Sequence, residues 1–274
     1  MSRLRAFVAF PLVRMFIAFF WVGGSIGLGS AASSLLPDTL TVLSPLLLAA
    51  GALIGYWAFV RIVERRPVPE LTGTGWATEA FAGAAIGVAL FATVIAILFL
   101  SGNYRVEGLN ESSAVLATLM AALMAGITEE VLMRAVAFRI LEEWLGSWVA
   151  LLLTAVLFGL LHLPNPQATL VSSAAIALEA GVMLAAAYMV TRSIWLAVGI
   201  HVAWNFSQGG IFGVAISGVP SSGYLKGTLH GSDVLSGGAF GPEASIVSVV
   251  LCLAVGMFFL RIAWHRRHFT AWPL

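Results

Sequence analysis

Residues 115–162 read VLATLMAALMAGITEEVLMRAVAFRILEEWLGSWVALLLTAVLFGLLH. Two apolar runs meet at Gly146-Ser147. The first carries Glu129, Glu130 and Arg134 in its middle, and the second ends on His162. A charged side chain at mid-bilayer costs on the order of 3 kcal/mol on insertion scales, so this trio needs partners or water. One partner follows from helix spacing. Glu130 and Arg134 stand at i and i+4 with the acid nearer the amino end, the favourable order for an ion pair. Glu129 lies about 100° further round and is left outside that pair.

The rest of the chain has the same character. Its 274 residues are 60% hydrophobic and 10% charged, with a mean hydropathy of +0.97, whereas a soluble domain carries about 25% charged residues. Backbone in lipid must satisfy its own hydrogen bonds as helix or closed barrel. These runs are too long for barrel strands and lack their alternation. The sequence therefore predicts an all-α polytopic membrane bundle. About eight transmembrane helices are expected, near residues 12–32, 41–60, 79–100, 113–144, 148–163, 169–190, 194–207 and 244–263. They form a single membrane domain over 1–274, with the chemistry-bearing core at 111–206. The run from Met15 to Ala32 is long for the apolar part of a signal peptide and reads as a retained span.

Net charge is +1, which gives no reason to expect a nucleic-acid partner. The expected partners are the lipid bilayer and a peptide or membrane-protein substrate. Arginine placement sets an orientation. With the amino terminus in the cytoplasm, Arg3, Arg5, Arg61, Arg65, Arg66, Arg192, Arg261, Arg266 and Arg267 fall inside, and only Arg105 and Lys226 fall outside. Both termini are thus expected in the cytoplasm. Arg65-Arg66-Pro67-Val68-Pro69 reads as an inner-face anchor. The Gly- and Ser-rich stretch 208–241 is either a cap over the site or a plain surface loop.

Depth along the helices brings further residues to Glu129. Measured from Gly146, Glu129 and His162 each lie about 25 Å along antiparallel helices, hence level with one another. His201 and Asn205 share a face at i and i+4, about 12 and 18 Å from Arg192-Ser193. They match Glu129 if the fourth helix protrudes into the cytoplasm through Arg139, Glu142 and Glu143. A carboxylate, two imidazoles and a carboxamide are thereby expected in one cavity nearer the inner face.

Such a set suits amide hydrolysis. Glu129 takes a proton from water, His162 holds that water and passes a proton to the leaving amine, and His201 with Asn205 donates to the developing oxyanion. Arg134 neutralises Glu130. The same atoms allow a zinc reading, with Glu129, His162 and His201 as ligands and one position open for water, although no HExxH is present. Two non-peptidase readings compete: a non-catalytic immunity or scaffold protein whose polar groups bind helices together, and a proton-relaying transporter, which predicts paired repeats that the chain lacks.

At these positions the chain resembles the CAAX protease and bacteriocin-processing family of intramembrane proteases, also called the type II CAAX prenyl endopeptidase family. Its motifs EExxxR, FxxxH and HxxxN read here as Glu129-Glu130-Val-Leu-Met-Arg134, Phe158-Gly-Leu-Leu-His162 and His201-Val-Ala-Trp-Asn205. Thr191-Arg192-Ser193-Ile194-Trp195 before the third motif is similar as well. The resemblance implies peptide-bond cleavage in or near the membrane, with Glu129 activating water, His162 its partner, and His201 and Asn205 supporting the oxyanion. The family is classed as metalloprotease; the residues favour a metal-free carboxylate mechanism, with zinc as the alternative cofactor. Small size and short loops suggest a bacterial cell-membrane protein engaged in peptide maturation or self-immunity in preference to CAAX processing.

Other polar residues carry weaker expectations. Glu179 either orients His201 or Asn205, glues helices or faces water. His230, His265 and His268 read as interfacial, Cys252 as core packing. Trp21, Trp57, Trp76, Trp144, Trp148, Trp195 and Trp264 read as an aromatic belt at span ends.

Overall fold

The computed structural model describes residues 10–111 and 114–271; Arg3 and Arg5, used above for orientation, lie outside the described residues. Helix α1 spans Pro11–Ser33, with Pro11 in the first turn where its missing N–H costs nothing. Helix α2, Ser44–Phe59, follows a 3-10 turn at Asp38–Leu43 and continues as a π turn over Val60–Glu64. Helix α3 covers Trp76–Leu100. Helix α4, Val115–Glu130, runs on through a π stretch, Val131–Phe138, into α5, Arg139–Leu161. Gly146 interrupts α5 with φ 77° and ψ 166°, a conformation that favours glycine, and this reverses the chain where the sequence placed its turn.

The remaining helices enclose the site. Helix α6, Leu170–Ile176, opens on a capping box in which Thr169 and Ser172 satisfy each other's backbone N–H. It passes through a π turn, Ala177–Gly181, into α7, Val182–Thr191. Helix α8, Trp195–Asn205, extends as a π turn over Phe206–Ile211. Helix α9, Ile246–His265, is capped by Ser245, which accepts from the N–H of Ser248.

The molecule is a multi-pass helical bundle. Six of its helical segments are long and apolar enough to cross a bilayer, among the described residues. One of these, Val115–Leu161, is the pair divided at Gly146. Helix α8 with its π turn falls short of that length, so the count of eight spans remains a proposal.

The connections add one short strand pair to the helical bundle: β1, Tyr104–Leu109, pairs antiparallel with β2, Leu225–Leu229, matching Tyr104 to Leu229 and Val106 to Gly227 and bulging before Leu109. A side chain at Gly227 would collide with the Phe212 carbonyl and the Tyr104 ring. Arg139 and Glu142 are buried against neighbouring helices, whereas Glu143 is exposed. The Arg139 guanidinium lies 2.8 Å from Glu64 and 3.0 Å from Glu143, while Arg66 meets Glu64 at 2.8 Å and Glu70 at 2.9 Å. Arg192 joins Glu142 to the His268 carbonyl. At this end, which we term the basic end, opposite charges neutralise one another in place of projecting into solvent.

The hydrophobic core fills the space between α2, α3, α4, α7 and α8, with Tyr56, Phe59, Phe91, Phe138 and Met189 fully buried.

Candidate active site

Close backbone approach assembles the site. Gly126 on α4 lies against Val202 on α8, where an added Cβ would come within 2.5 Å of the Val202 Cγ2. The absent side chain lets α4 press its next turn, Glu129-Glu130, onto His201. Gly181 packs in the same way on Ala155 of α5, at 2.8 Å from its Cα for a notional Cβ. A π turn follows each acidic or amide residue of the motifs: Val131 begins one directly after Glu130, and Phe206 begins another directly after Asn205. Such turns are common at functional sites because the extra residue re-aims side chains.

Glu130 is the hub. Fully buried, its Oε1 accepts from Arg134 Nη1 at 2.8 Å and lies 2.9 Å from His201 Nδ1. Arg134 also donates to the Ala180 carbonyl at 3.1 Å and sits 4.8 Å over the Phe158 ring. Arg134 donates to the same oxygen, so the geometry suits a His201 tautomer whose Nδ1–H also donates to it. The other nitrogen, Nε2, is 3.9 Å from Glu129 Oε2, and that oxygen is buried without a hydrogen-bond partner. The sequence paired Glu130 with Arg134; its second bond, to His201, was not foreseen.

His162 caps its own helix. Its Nδ1 donates to the Phe158 carbonyl at 2.8 Å, one of the carbonyls that the helix end leaves free, so Nε2 keeps its lone pair. The Phe158 ring stands between the imidazoles, 4.9 Å from that of His162 and 6.2 Å from that of His201. Asn205 is buried, and its carboxamide has no hydrogen bond among the described residues.

Glu129, His162, His201 and Asn205 all line one cavity of about 500 Å³. Its wall includes Ile216, Ser217, Val219, Pro220 and Ser221, so the 208–241 stretch covers the site and is not a plain surface loop. The cavity reaches this loop layer, which lies at the end of the bundle remote from Gly146. The cavity thus extends from the motif residues toward the end of the bundle remote from the basic end.

Two acids escaped the sequence reading or change their part in it. Glu243, just before α9, is buried, lines the cavity and accepts from the Ser217 N–H at 2.7 Å and its hydroxyl at 3.1 Å. Burial pushes its carboxyl above the ordinary range, against the bonds from Ser217 and the neighbouring His162. Only a loop acid following a proline marks it in the sequence. Glu179 lines the cavity from the π turn in α6–α7 and lies 3.8 Å from the Cys252 thiol. It bonds neither His201 nor Asn205, which removes the orienting role weighed for it. His268, half-buried in the basic tail, is tied to the Met189 carbonyl at 2.9 Å.

The zinc arrangement does not fit the geometry. Among the described residues, no three His, Cys, Asp or Glu side chains come close enough together to hold a metal ion. The bonds to Glu130 and to the Phe158 carbonyl use Nδ1 and leave Nε2 open on both rings, so the mismatch lies in the spacing of the donors.

With this geometry in view, the comparison with protein families is direct: residues 111–207 match the model of the family described as type II CAAX prenyl endopeptidase Rce1-like. This agrees with the resemblance carried by the three motifs, and the matched range holds every motif residue from Glu129 to Asn205. No curated protein and no solved structure matches the chain.

Proposed function

We propose that this protein is an intramembrane endopeptidase that hydrolyses a peptide bond of a membrane-associated substrate with water activated by Glu129. One observation carries the reading: side chains from three separate Rce1-like motifs line a single cavity, where Glu129 presents an unpartnered carboxylate oxygen 3.9 Å from His201. Glu130 Oε2 is also unpartnered among the described residues, but of the two acids it is Glu129 that lines the cavity, where a free acceptor can meet water and substrate.

In the proposed reaction Glu129 takes a proton as the water oxygen attacks the peptide carbonyl carbon. His162, whose Nε2 holds the lone pair, takes that proton from Glu129 and delivers it to the amine nitrogen as the C–N bond breaks, which returns Glu129 to the carboxylate. Because His201 gives its Nδ1–H to Glu130, it supports the oxyanion from Nε2 as the imidazolium, flanked by Glu129 and Glu130, together with the Asn205 amide. Arg134 keeps Glu130 ionised and fixed. No step is routed through a metal. We further propose eight spans with both termini in the cytoplasm of a bacterial cell.

The test uses purified wild-type and Glu129→Gln chains in lipid vesicles with a tagged library of single-span peptides, read by mass spectrometry. Cuts made only by the wild type support the reading. Equal cutting by both proteins removes Glu129 from the chemistry, and none by either favours the alternative, a non-catalytic immunity or scaffold protein that keeps the polar cluster for structure.

A further inference from the structure

The charges of the bundle sort to its two ends. The 61–66 link, Arg139, Arg192, Arg261, Arg266 and Arg267 all belong to the basic end, where the Gly146 turn meets the last residues through the Ser147–Thr270 bonds. At the opposite end Arg105 and Lys226 are the fixed positive charges among the described residues, beside Asp38, Glu107, Glu111 and Asp233. Lysine and arginine in short connections stay on the cytoplasmic side, whereas acids have little influence.

The cavity opens at the end poor in positive charge. His162 terminates α5 at the end remote from Gly146. Beside it, Asn165 donates to the Ser217 carbonyl at 3.0 Å, and Glu243 holds the same residue from the other side. Val219 and Pro220, which complete the cavity wall, are exposed. A flank of the cavity is open as well. Ala117, Ala121 and Ala125 line it at four-residue intervals leading to Glu129, about 18 Å along α4, and the first two are exposed.

We infer that the cavity is served from the extracytoplasmic side, and that its substrate is a membrane-anchored peptide segment at the outer leaflet, not the carboxyl-terminal tail of a cytosolic protein. What happens to that segment rests on the peptidase reading. The sidedness rests on charge and cavity placement alone.

The experiment is cysteine labelling in intact cells with a membrane-impermeant maleimide, in a Cys252→Ser background. Val219→Cys at the cavity mouth is expected to react in intact cells, and Arg267→Cys only after permeabilisation. Lys226→Cys on β2 gives the same readout if Val219→Cys fails to accumulate. The reverse pattern, or reaction of both ends in intact cells, overturns the inference. Adding Glu129→Gln leaves the labelling unchanged, so failure of the orientation and failure of the peptidase reading are separate outcomes. The new ends of Glu129-dependent cleavage products, mapped by mass spectrometry, are expected in extracytoplasmic segments near spans; ends in cytoplasmic tails contradict the substrate assignment.

Discussion

His201 Nδ1 lies 2.9 Å from Glu130 Oε1, and the opposite edge of the same ring faces Glu129 across 3.9 Å. The adjacent glutamates of one motif therefore grip one imidazole from both sides, the first open to the cavity and the second sealed in the bundle. Glu130→Gln keeps an acceptor for the Nδ1–H but removes the negative charge that favours the imidazolium. Turnover is expected to fall about 10- to 100-fold with little change in KM, the pattern of an interaction made in the transition state. Steady-state kinetics on a cleavable peptide checks it.

Arg134 is 2% exposed and pairs with the fully buried Glu130. Arg134→Met leaves that carboxylate unpaired, a change that costs about 3–5 kcal/mol. A large drop in the thermal midpoint in detergent is expected. Arg134→Lys is expected to restore little, because a single ammonium cannot match the planar guanidinium that meets both Glu130 and the Ala180 carbonyl.

Gly126→Ala drives a methyl group into Val202 and should separate α4 from α8, costing about 1–3 kcal/mol. Shortening the obstacle with Val202→Ala should recover part of the loss. The double-mutant cycle, read by stability and by activity together, is expected to be non-additive. Strict additivity would show that the helices do not meet at this point.

Metal dependence is open to direct measurement. Purified protein is expected to retain activity in strong chelator and to contain zinc well below one ion per chain. Stoichiometric zinc lost in parallel with activity would instead require the donor side chains to close around an ion, unlike their present arrangement.

The helix framework and the motif residues were legible in the sequence because both follow the 3.6-residue period. Glu130 and Arg134 meet at i and i+4 as expected, and the Gly146 reversal sets the register between α4 and α5. What was not legible depends on long-range contact. The β1–β2 pair unites segments far apart in sequence and contains Gly108 and Gly227, which weaken any strand signal. Burial of Arg139 and Glu142 follows from partners on α2 and in the Arg192 turn. Glu243 reaches the cavity by the path of a loop. A ruler laid from Gly146 gives depth along a helix but not which end of a cavity is open.

The central claim is tested most directly by comparing the membrane proteomes of cells carrying the wild-type chain and the Glu129→Gln chain at equal abundance. The account predicts a defined set of cleaved peptides present with the wild type and missing with Glu129→Gln, their uncut precursors accumulating in the variant. Identical cleavage products in both strains would contradict it.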